Sequence, residues 1–179
     1  MGDSLITIVA IFLAAILMFV FPLMSISDRN DDVSLLAVQT ETVEFVDNIR
    51  STGKITQENY VSFIQTLAAT GNSYDIEIEV KILDENPGKK SALTETDKIG
   101  ENIYYSEFTK QIESEILQEN EKGVKKLKEG DIVSVSVKNT NTTIAQMLKN
   151  FFYSISGNDT YQIAAQHAGV VMTTTNNVK

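Results

Sequence analysis

The chain has 179 residues, with 24 acidic against 15 basic side chains, a formal net charge of −9 and no cysteine. Lack of cysteine excludes disulfides, thiolate metal sites and thiol catalysis. So acidic a balance argues against nucleic acid and anionic lipid headgroups as partners, since both are bound through basic patches.

Leu5 to Met24 form a run without a single charged side chain. At roughly 1.5 Å per residue, about twenty helical residues cross the roughly 30 Å hydrocarbon layer of a bilayer. The expectation is a membrane-spanning helix with the lipid bilayer as its first partner. Its candidate membrane and assembly surface comprises Leu5, Ile6, Ile8, Val9, Ile11, Phe12, Leu13, Ile16, Leu17, Phe19, Val20, Phe21 and Pro22. These residues are apolar all round the helix rather than along one stripe, unlike a helix of a soluble core. A cleaved secretory signal would show a basic start, a shorter apolar core and small residues at the cut. Here the only charge before the run is Asp3, and the exit reads Phe21-Pro22-Leu23-Met24-Ser25-Ile26-Ser27-Asp28. A retained anchor over residues 1–27 and one soluble domain over 28–179 are therefore expected. Arg29 alone among Asp28, Asp31 and Asp32 fits a soluble domain outside the cytoplasm.

From Asp31 to Arg50, Val33, Leu36, Ala37, Thr40, Val43, Val46 and Ile49 fall near one helical face, which predicts an amphipathic continuation of the first helix. Asp28 to Asp32 is an expected interruption and Pro22 an expected kink. Thr52-Gly53-Lys54 reads as its stop. Thr56 is a candidate N-cap for a second helix with Tyr60, Phe63, Ile64 and Leu67 on one stripe, ending at Gly71. From Tyr74 to Ile82 apolar and charged residues alternate strictly, which predicts an antiparallel strand with one wet face. Asp84 to Asn102, with the Asn86-Pro87-Gly88 breaker, reads as a surface loop. A helix opening at Ser106-Glu107 and running through Ile112, Ile116 and Leu117 follows, then a strand over Ile132 to Lys138 after a turn at Leu127 to Gly130. A further helix capped by Thr142 or Thr143, holding Ile144, Met147, Leu148, Phe151, Phe152 and Ile155, ends at Gly157, and Tyr161 to Met172 supplies a last strand. The fold class expected is α+β, an N-terminal transmembrane helix continuing into an amphipathic one, then helices on a small, three- or four-stranded, mainly antiparallel sheet.

No residue carries a catalytic signature. His167 is the only histidine and no Gly-x-Ser-x-Gly accompanies it, so it reads as a packed or surface imidazole. Asp84, Glu85, Asn86, Glu95, Asp97, Glu101 and Asn102 supply the hard oxygens calcium prefers, but not at EF-hand spacing. Asn141-Thr142-Thr143 and Asn158-Asp159-Thr160 fit the glycosylation sequon at a frequency chance explains. No cofactor and no metal is expected, and carboxylates alone give little weight to an anchored hydrolase.

Met1-Gly2-Asp3-Ser4 abutting the apolar run, Pro22 near its end, and the stretch from Val33 through Thr40, Glu44 and Val46 to Arg50 resemble bacterial pilins and pseudopilins, nearest to the TadE-like minor pilins of tight-adherence systems. The resemblance covers about the first fifty residues. It implies a non-enzymatic structural subunit, partnered by itself, other pilin-like subunits and membrane assembly machinery. It also implies a leader cut after Gly2 that leaves Asp3 as the new terminus. Where the family usually carries a glutamate inside the apolar stretch, this chain has Thr7. A single-pass accessory or ligand-binding protein that stays in the membrane is the alternative.

Overall fold

The computed structural model describes residues 2–84, 104–117, 123–142, 147 and 164–174. They form α1 (Gly2–Thr52), β1 (Lys54–Thr56), α2 (Gln57–Ala69), β2 (Tyr74–Leu83), β3 (Tyr104–Phe108), α3 (Thr109–Ile116), β4 (Val124–Lys126), β5 (Ile132–Asn139) and β6 (Ala164–Val170). The fold is α+β. One sheet has the order β3-β2-β5-β6 with every neighbouring pair antiparallel, and β1 pairs antiparallel with β4 in a second, two-stranded sheet.

Alternation along β2 and β5 sets the two faces of the larger sheet. Ile78 and Val80 on β2, Val133, Val135 and Val137 on β5 and Ala165 on β6 are buried. The register places Ile78 beside Val135 and Val80 beside Val133, so these side chains form one apolar surface. Onto the same core converge Val38, Phe45, Val46 and Ile49 of α1, Tyr60, Phe63 and Leu67 of α2, and Ile112 and Ile116 of α3. The other face of the sheet carries Asp75, Glu77 and Glu79 with Ser134 and Ser136, none of them buried.

Several local signals act as the sequence predicts. Thr56 caps α2, its hydroxyl accepting from the Asn59 N–H at 3.2 Å. Gly53 ends α1 at φ 66, with its N–H donating to the Ile49 carbonyl at 2.8 Å, a left-handed stop that glycine adopts without strain. Before β5 the chain turns at Gly130, φ 98, and the buried Asp131 carboxylate fixes the turn by accepting from the N–H groups of Lys128 at 2.8 Å and Leu83 at 3.0 Å.

Other expectations are corrected. The acidic cluster Asp28 to Asp32 does not interrupt α1, which continues unbroken to Thr52 with Pro22 inside it. The docked face is not the Val33, Leu36, Val43 stripe. Val46 and Ile49 of that stripe are buried, but Val33, Leu36 and Val43 are 63%, 65% and 40% exposed, and Asp31, Ser34, Val38, Thr42 and Phe45 are buried instead. Hydropathy alone misassigns the face because the polar Ser34 and Thr42 are buried on it. Thr42 also satisfies its own hydroxyl by donating to the Val38 carbonyl at 2.6 Å. Ser106 and Glu107 do not open a helix. They lie in β3, where Ser106 pairs with Lys81 and donates to Glu79 at 2.7 Å, and α3 begins only at Thr109. Pairing with the long β2 overrides the helical spacing of Ile112 and Ile116, which applies three residues later. The last strand, described over Ala164–Val170, ends two residues before the expected Met172. The loop at 85–102, the helix around 144–157, in which only Met147 is described and is helical, and residues 161–163 lie outside the described residues.

Ile49→Ala is expected to destabilise the monomeric, detergent-solubilised chain by about 3 kcal/mol, the usual cost of a large aliphatic deletion in a core. Val33→Ala on the exposed stripe stays within about 0.5 kcal/mol. Denaturant midpoints with unchanged slopes measure both, and the reverse order would restore the face read from hydropathy.

Candidate assembly helix

The functional candidate is α1 itself. Apart from the half-buried Val20, its large apolar residues between Leu5 and Leu23 range from 40% exposed at Ile16 to 73% at Met18. Every sequence-predicted residue of the membrane and assembly surface lies on this segment, and all but Val20 are exposed. Gly2 and Asp3 belong to its first turn. Among the described residues one helix, from Ser4 onward, is long and apolar enough to cross a membrane, and none of its apolar window is buried by the rest of the chain. Leaving a large apolar side chain in water forgoes roughly 1.5–3 kcal/mol, so a dozen of them amount to on the order of 20–30 kcal/mol. That exceeds the roughly 5–15 kcal/mol by which whole domains are stable. The segment is therefore one that needs a cover from outside the chain. Pro22 withholds the N–H that would reach the Met18 carbonyl, a local weakening inside an otherwise regular helix.

Beyond the apolar segment the same helix is fixed to the domain by three kinds of contact. Phe45 stacks on Phe63 of α2, with ring centroids 4.4 Å apart and planes 4° from parallel. Arg50 donates from Nε to the Val170 carbonyl at 3.1 Å and from Nη1 to Asp47 at 2.6 Å, and its own carbonyl accepts from the Met172 N–H at 2.9 Å. Gly169 makes this crossing feasible, because a Cβ there would lie 2.4 Å from Arg50 Nε. His167 sits on the same side of β6, its Nε2 3.6 Å from Asp47 Oδ1. It faces the helix, away from the serines on the opposite side of the sheet.

A second polar cluster joins the small sheet to α2, β3 and α3. Lys125 of β4 is buried, with its ammonium donating to Glu107 and, at 2.7 Å, to Glu115. Burial disfavours the charged ammonium, but the hydrogen bonds and attraction of Glu107 and Glu115 outweigh it and raise the Lys125 pKa above its ordinary value. The Tyr60 hydroxyl donates to Glu113 at 2.5 Å, and its pKa is pushed up by burial and then by that carboxylate. Nothing in the residue spacing marks this cluster in advance, because Lys125 stands beside Lys126 and Lys128 and no pattern sets it apart from them.

On the wet side of the larger sheet, β2, β5, β6 and the start of α3 enclose an open groove of about 920 Å³. Glu77, Glu79, Ser134, Ser136 and the exposed Phe108 line it. It brings carboxylates and hydroxyls together without an imidazole. Among the described residues no group of three His, Asp or Glu side chains converges as a metal site. Comparison with protein-family models, curated proteins and solved structures gave no match to this chain.

Gly169→Ala is expected to cost about 1–2 kcal/mol by displacing Arg50. Combined with Arg50→Ala the two losses are expected to be strongly non-additive, and a double-mutant cycle by denaturation reads the coupling. A coupling of zero would mean that Arg50 does not constrain Gly169. Lys125→Met removes the cation from two carboxylates and is expected to cost about 2 kcal/mol, below the full buried-pair range because Glu115 is half-exposed. A folded-state lysine pKa raised above 10.5 contributes stability that is complete below that pH and fades as pH climbs through the raised value. The Lys125→Met variant is expected to lack that alkaline decline.

Proposed function

We propose that the chain is a non-enzymatic, membrane-anchored, pilin-like structural subunit that assembles through its hydrophobic N-terminal helix, its acidic domain lying outside the cytoplasm. The observation that carries this reading is a single unbroken helix, apolar on all sides over one half and docked on a sheet over the other. Apolar rods of this kind pack together in a bilayer and remain packed when drawn into a filament, because water is excluded in both settings. The resemblance of the first fifty residues to TadE-like minor pilins supports the same reading, with self, other pilin-like subunits and membrane assembly machinery as partners.

A second reading draws on Thr7. An intramembrane carboxylate is costly and is kept for pairing, and Leu5 to Met24 have none. That favours a single-pass accessory protein of a secretion or adhesion machine that never leaves the membrane.

Shearing of whole cells separates the two: recovery in the sheared filament fraction supports the subunit, and recovery only in membranes the accessory protein. Sequencing of the mature N-terminus is expected to begin at Asp3, whereas a freely soluble monomer beginning near Ser27 overturns both readings. Leu13→Arg, at an insertion cost of about 2.5–3.5 kcal/mol near a helix centre, is expected to reduce membrane retention, scored by carbonate-washed membranes.

A further inference from the structure

The half of α1 that leaves the apolar segment carries two apolar stripes on opposite sides. One, through Val38, Phe45 and Ile49, is spent on the domain core. The other, Ile26, Val33, Leu36 and Val43, is exposed, with Thr40 on the same line bonding only to its own helix through the Leu36 carbonyl. Positions 26, 33, 36, 40 and 43 follow steps of seven, three, four and three residues, the spacing of a two-helix seam and not of a single buried face. We propose that this stripe is an interface between two copies of this chain, a parallel, in-register helix seam that lies outside the bilayer. The inference rests on the membrane-anchored reading and adds to it a contact surface, a direction and a partner.

Three observations favour a second copy over a foreign helix. Copies inserted the same way have their α1 helices parallel and at the same height, which raises the effective concentration of one stripe for another. In an in-register parallel pair the flanking positions bring Asp32 opposite Ala37 and Gln39 opposite Glu44. No two acids then face each other along the seam flanks, although the whole chain carries −9. The helix that carries the seam also continues without a linker into the exposed apolar segment, Arg29 being the one charged position on the line between them. Arg29 falls on the line between Ile26 and Val33 and meets its counterpart across an in-register pair, with Asp32 three residues on in each copy supplying an opposite charge on the same surface of the helix. From Val33 to Val43 the stripe is thus uncharged, and its one charge, Arg29, lies next to the apolar segment.

The chain has no native thiol, so one introduced cysteine reports alone. Full-length Val33→Cys and Leu36→Cys variants, oxidised in native membranes, are expected to convert mostly to a covalent product of twice the chain mass. Gln39→Cys beside the stripe and Gln65→Cys on α2 stay monomeric. Single cysteines at Ile11, Phe12, Leu13 and Ala14, which together sample every side of the apolar segment, test subunit packing inside the membrane. Cross-linking there without cross-linking at Val33 or Leu36 overturns the seam and leaves the assembly reading standing. Cross-linking nowhere overturns both. A Leu36→Cys product whose mass shows a different polypeptide assigns the stripe to a foreign helix and overturns the self-pairing.

Discussion

Everything in this molecule depends on how the far half of one helix is seated. Val38, Phe45, Val46 and Ile49 enter the same core as the valines of β5 and the aromatic residues of α2. That seat serves two purposes at once, closing the apolar face of the sheet and fixing the direction in which the exposed apolar half projects. Without it the sheet would show water a continuous valine and isoleucine surface. The helix would then join the domain only through the short turn at Gly53.

The seat is defined by shape as much as by hydropathy. Ser34 and Thr42 are buried on it although both are polar, and the bulkier Val33, Leu36 and Val43 lie outside. Gly169 lets Arg50 cross β6 and bond to its backbone. Two lines of apolar residues on opposite sides of the same helix are what a subunit needs if one line holds its own domain and the other is kept for a neighbour.

Much of the fold was legible in the sequence, and the reasons are local. The strict alternation from Tyr74 to Ile82 and from Ile132 to Lys138 fixes two strands and their buried side, since a half-buried strand has no other economical pattern. Thr56, Gly53 and Gly130 mark boundaries through hydrogen bonding and backbone freedom that operate within a few residues. What was not legible is set at a distance. β3 exists because β2 offers it a partner, and β1 and β4 are three-residue strands that pair across a wide sequence separation. The choice between the two stripes of α1 is likewise made by the sheet it meets, as is the burial of Lys125 between Glu107 and Glu115. The apolar segment is the opposite case: its exposure follows from its composition, because no domain of this size could wrap it.

The continuity of α1 through Asp28 to Asp32 turns the helix into a lever. From Ile26 to Ile49 the axis measures roughly 35 Å at 1.5 Å per residue. If the apolar half spans a bilayer as proposed, a lean of about 20° to match a thinner one would carry the docked domain sideways by roughly 12 Å. Hydrocarbon thickness and the crowding of neighbouring rods would in this way be read out as the position of an acidic domain well above the headgroups, with no hinge to absorb the motion.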